Sequence, residues 1–108
     1  MEDSEILALF EARDETALRE LDASFGALCR SVARNILGGD ADAEECFNDA
    51  LLRAWNAIPP ERPERLRAYL LKLTRGVAID RLRAAGAAKR GGGELTLVLD
   101  ELAEVLPG

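Results

Sequence analysis

Between residues 66 and 90 the chain holds Arg67, Lys72, Arg75, Arg81, Arg83, Lys89 and Arg90 against a single acid, Asp80. Cations recurring at helical steps suit a row of phosphates, because each neutralised phosphate releases counterions. Tyr69, near the start of the same stretch, offers a ring on which a base could stack. A second set has different chemistry. Glu45, Asn48, Asp49, Leu52 and Asn56 share one helical face, and Asn48, Leu52 and Trp55 follow one line at steps of 4 and 3. Polar and acidic groups around a leucine and the only tryptophan have the make-up of a protein contact. For the basic set the competing reading is a solvated helix face with no ligand; for the second set it is that Trp55 tucks against the bundle edge and the acids are merely solvated.

Other chemistries find little support. Histidine is absent, and Cys29 and Cys46 lack the paired spacing of a zinc site, so no metal and no cofactor is expected. The two thiols read as small buried hydrophobes. The carboxylates are scattered over exposed faces rather than paired for acid–base work, and no glycine-rich phosphate loop follows a strand. Neither an enzyme nor a small-molecule substrate is expected. The start, MEDSEILALF, is acidic where a secretory signal is basic, and no apolar run is long enough to span a bilayer, so the expected location is cytoplasmic.

Charge is divided along the chain. Net charge is −6 over 108 residues, yet residues 66–90 are strongly basic while residues 1–60 hold 13 acidic side chains against 5 basic ones. Such asymmetry suggests a different partner for each end.

These faces need elements to present them, and the pattern predicts helices throughout. Asp3 or Ser4 can cap a short first helix bearing Ile6, Leu7, Leu9 and Phe10. Asp14 reads as the N-cap of a second, whose stripe is Leu18, Leu21, Phe25, Leu28, Val32 and Ile36. Gly38-Gly39 ends it. A third starts at Asp40 or Asp42, with Asp42 and Glu45 spaced as a capping box, and buries Phe47, Ala50, Leu51, Ala54 and Ile58. PPERPER, residues 59–65, makes a stiff, extended connector. A fourth helix from about residue 66 to 89 turns Leu66, Leu70, Leu73 and Val77 inward and places Lys72, Arg75 and Arg83 on one side with Arg81 nearby. Three glycines end it, and residues 94–108 form a last amphipathic segment. The expectation is all-α: a compact bundle of three to four helices with a C-terminal linker.

DAEECFNDALLRAWNAI followed by RAYLLKLTRGVAIDRLR resembles region 2 of bacterial sigma-70 family factors, of the extracytoplasmic-function type. The likeness covers about residues 5–90. It implies a transcription initiation domain over 1–90, and over 91–108 a linker toward a promoter-reading region 4 that is not in this chain. It implies that the helix over 42–57 docks on the clamp helices of the largest RNA polymerase subunit through Glu45, Asn48, Asp49, Leu52, Arg53 and Trp55. It implies that the following helix and its preceding loop melt the minus-ten promoter element and hold the non-template single strand. Arg62, Arg65, Tyr69, Lys72, Arg75, Arg81, Arg83, Lys89 and Arg90 would contact DNA, and the loop 59–65 would frame a pocket for a flipped base. An anti-sigma factor is a further candidate partner.

This sequence departs from that pattern where many members carry Asn (here Gly76), in a loop 59–65 without an aromatic, and in RAAGAAKR where others have a denser arginine run. The departures favour an alternative: a sigma-like helical interaction regulator that does not read DNA.

Overall fold

A computed structural model describes residues 1–89, with side chains described through residue 85. Four helices follow in order: α1 (Asp3–Glu11), α2 (Thr16–Leu37), α3 (Asp40–Ala57) and α4 (Leu66–Lys89). Among the described residues there is no strand. The expected all-α bundle is what forms: α2, α3 and α4 each pack on the other two, and α1 lies against α2. The Lys89 side chain, Arg90 and the expected linker over 91–108 lie outside the described residues.

The core explains why three long helices meet so closely. At its centre α2 contributes Ala17, Leu21, Gly26, Cys29, Ala33 and Ile36, α3 contributes Ala43, Cys46, Phe47, Ala50 and Ala54, and α4 contributes Leu66, Leu70, Thr74, Val77 and Ala78. Most of these side chains are small, and small residues let backbones approach. The expected α2 stripe is therefore rotated. Leu18, Phe25 and Val32 flank the core half-buried, and Leu28 is exposed. On α3 and α4 likewise, Leu51 and Leu73 are only partly buried, while Cys46 and Thr74 take central places. The Cys46 thiol donates to the Thr74 carbonyl oxygen (3.4 Å), and burial pushes its pKa up to about 11.

The helix ends differ from the expected caps. Glu2 precedes α1, and its amide donates to Glu5 Oε1 (2.9 Å). Asp3 is already helical and caps a different helix: its Oδ2 accepts the Leu66 amide (3.0 Å) at the start of α4. A carboxylate there satisfies an orphan N–H and opposes the positive end of the helix dipole. At α2 the N-cap is Glu15, while Asp14 Oδ1 accepts the Thr16 amide (2.9 Å), which holds the Asp14 carboxyl below its usual range. Gly38 closes α2 as expected, at φ 89°, where a Cβ would be strained. Gly39 is the N-cap of α3, so Asp42 and Glu45 form no capping box there. Asp40 and Asp42 instead face the helix dipole from the first turn.

One end of the bundle is tied by Arg13. It takes a left-handed φ of 56°, unusual without glycine. This places its guanidinium over the Trp55 ring, 3.6 Å from the centroid, with Nη1 donating to the Ile58 carbonyl oxygen (2.7 Å). Phe10 meets the same indole at 6.0 Å between ring centroids. The other end of α2 is tied to α3 by Arg30, which forms a two-pronged bond to Asp22 (2.8 and 3.0 Å), bonds Glu44 (2.9 Å) and covers the Phe47 ring at 4.6 Å. The Asp22–Arg30 pair crosses directly above Gly26, where a Cβ would stand 2.1 Å from Asp22 Oδ1.

Candidate functional site

The outer face of α3 carries the second residue set. Asn48, Leu52 and Asn56 are exposed, and Leu52 keeps 56% of its surface open to solvent, an unusual position for a leucine in so small a protein. Trp55 belongs there only by its edge. Half-buried between Phe10 and Arg13, it is chiefly a packing residue of the bundle end.

The basic residues of α4 divide into two groups. Lys72 and Arg83 are exposed and lie three turns apart on the outward side, and Arg75 is half-exposed. Arg81 is not beside them. Nine residues past Lys72 is two and a half turns, so it stands on the opposite side of α4. There its guanidinium reaches across to α3, bonding Asp49 at 2.5 Å and Glu45 at 3.4 Å. A second pair, Arg53 with Asp80 at 3.7 Å, crosses the same seam with the charges exchanged. The acidic face of α3 is thus joined to the side of α4 opposite Lys72 and Arg83. Asp49 is also only half-exposed. Its bond is the leading cause of the raised Arg81 pKa.

Next to this seam, an open groove of about 370 Å³ runs between the C-terminal half of α3, the connector and α4. Its walls are Arg53, Ala57, Glu61, Tyr69, Lys72, Leu73 and Gly76. The connector turns sharply after Ile58: the Glu61 amide donates to the Ala57 carbonyl (3.0 Å), and the bonds preceding Pro59 and Pro60 are both cis. This is not the extended segment expected from PPERPER. The turn delivers Glu61 to the groove, where its Oε1 accepts the Tyr69 hydroxyl proton (2.9 Å). Burial, and then that carboxylate, push the Tyr69 pKa up to about 12. Gly76 leaves its part of the wall bare, with no atom within 4 Å of where a Cβ would be. The groove therefore combines one half-buried ring, two cations, the Glu61 carboxylate bonded to that ring, and the small apolar surface of Ala57, Leu73 and Gly76.

Of the other basic residues singled out, Arg62 is ion-paired with Glu11 of α1, and Arg65 is exposed just ahead of α4. Sequence reasoning missed Arg53 and Glu61 as groove residues and Arg13 as the clamp on Trp55, since each acts across elements far apart in the chain. Among the described residues no group of three or more Cys, Asp or Glu is disposed to hold a metal ion, and no helix is long and apolar enough to cross a membrane.

Residues 21–88, which include α3, the connector, nearly all of α4 and most of α2, match the family model for sigma-70 region 2. No curated protein and no solved structure matches the chain.

Proposed function

The chain belongs to the sigma-70 region 2 family, a family that binds RNA polymerase and recognises promoters, and from that premise we propose that it is a promoter-opening domain of the extracytoplasmic-function type. Its α3 face docks on the clamp helices of the largest polymerase subunit. Leu52 is the apolar anchor, with Glu45, Asn48, Asp49 and Arg53 around it and Trp55 contributing an edge. The outward side of α4, with Lys72, Arg75 and Arg83, takes the non-template strand of the minus-ten element, continued by Arg65; Lys89 and Arg90 are further DNA-binding candidates that lie outside the described side chains. Arg62 joins it only by leaving Glu11. The groove beside Tyr69 receives one unstacked base. Lys72 and Arg53 stand at its rim for the flanking phosphates. No bond is made or broken; strand opening is driven by binding energy for unpaired bases, which must return the few kcal/mol of lost stacking. Such a domain works in the cytoplasm, with 91–108 leading toward a region 4, and an anti-sigma factor would compete for the same faces.

The observation that carries this reading is the groove, which joins the two faces: α3 and α4 each supply a wall, and an aromatic ring and two cations converge there. Polymerase docking is tested by retention of core polymerase on the immobilised chain. Leu52→Asp places a charge at an exposed site and leaves the fold intact, so it should weaken retention by about thirtyfold or more, the scale of a hot-spot loss. Retention equal to wild type would remove the α3 face from the account.

A second reading, a helical regulator that binds protein but not DNA, draws on the bare wall at Gly76 and on Arg81, which is occupied by acids. Substituting Lys72 separates the two, since a regulator that does not read DNA would be indifferent to it.

A further inference from the structure

We infer that the N-terminal segment, residues 3–13, is a strap that positions the groove: Asp3, Glu11 and Arg13 hold the connector from outside, so that Glu61 and Tyr69 stand where an unpaired base enters. The inference rests on the proposed function and adds to it a set of positioning residues that themselves touch no base.

The connector is poorly equipped to hold itself. Three of its seven residues, Pro59, Pro60 and Pro63, have no amide hydrogen to donate. It leaves the core at Ile58 and re-enters it at Leu66, both fully buried, and between them all but Pro63 are exposed. The N-terminal segment meets it at three points. Arg13 Nη1 donates to the Ile58 carbonyl oxygen (2.7 Å) where it starts, Glu11 pairs with Arg62 in its middle, and Asp3 Oδ2 accepts the Leu66 amide (3.0 Å) where it ends. Glu61, next to Arg62, bonds instead to Tyr69 in the groove (2.9 Å). The same seven residues are thus tied to the strap and supply a groove wall.

Two further facts argue for a role beyond folding. Arg13 takes a left-handed backbone, φ 56°, which a residue other than glycine keeps only where its surroundings fix it, and such strain concentrates at functional sites. All three strap residues also precede residues 21–88, the part that matches the family model. The strap is therefore contributed from outside the matched body.

The first test titrates Tyr69 in the full chain by phenolate absorbance. Asp3→Ala with Arg13→Ala should bring its midpoint down from about 12 toward the ordinary 10, because a loosened connector lets water reach the ring and withdraws Glu61. Gly38→Ala, strained at φ 89° at the other end of α2, weakens the fold without touching the connector and should leave the midpoint near 12. No fall in the double variant, or a fall that Gly38→Ala matches, overturns the strap. The second test measures strand capture in the polymerase complex, per retained polymerase. It compares the minus-ten non-template strand with the same strand carrying an abasic site at each position in turn. Wild type should favour the intact strand by about tenfold at one position, the scale of one stacked base, and the double variant should cut that preference to about twofold. Gly38→Ala should keep it. A preference undiminished in the double variant overturns the strap. No preference in wild type discards the base groove of the proposed function, and the Tyr69 titration then decides alone whether the strap holds the connector.

Discussion

Tyr69 is the only tyrosine, so its ionisation can be followed directly by phenolate absorbance. Its hydroxyl donates to Glu61 and its ring is half-buried, and together these raise its pKa to about 12 from an ordinary value of 10. The protonated form is the one the fold favours. The stability this contributes is therefore fully present below about pH 10 and is lost as pH rises toward 12. The absorbance midpoint should lie near 12 in the folded chain, and Glu61→Gln should bring it down, because the negative neighbour is gone. A wild-type midpoint at the ordinary phenol value would mean that Tyr69 swings free of the connector and does not wall the groove. Arg13 and Asp3 show the same kind of residue-level control: one side chain, reaching across elements, closes an end of the bundle or starts another helix.

Among the helices, α4 has the clearest weak point. Gly76 sits in its middle, where glycine costs about 1 kcal/mol relative to alanine, and the space a Cβ would enter is empty. Gly76→Ala should raise stability by about that amount in a denaturant titration, with the m-value unchanged. A loss of stability would show that the groove wall is tighter than the structure has it. The helices themselves were legible in the sequence, because apolar residues recur at steps of 3 and 4, Gly38-Gly39 interrupts them, and prolines mark the connector. The outward placement of Lys72 and Arg83 followed from the same period. The rotation of α2 was not legible, since a pattern built on leucines overlooks the Ala, Gly and Cys positions at which helices touch. The partners of Asp3, Arg13, Arg53 and Arg81 were hidden for a related reason. A charged side chain shows its helical face in sequence, but the residue opposite comes from a helix tens of positions away. Trp55 takes the place against the bundle edge that the sequence left open beside an exposed contact; only its cover, Arg13, was hidden.

For the whole molecule, a small bundle joins α3 to α4 by an ion-paired seam, with an open groove beside it that Lys72 also lines. In the proposed complex with polymerase, the outward cations of α4 capture DNA. The most direct measurement is cross-linking of a minus-ten non-template strand to the polymerase-bound chain, comparing wild type with Lys72→Glu combined with Arg83→Glu. Retention on polymerase should be unchanged and strand capture should fall by about tenfold or more, from two lost phosphate contacts and two charges placed against them. Strand capture equal to wild type in that complex would mean that Lys72 and Arg83 do not hold DNA.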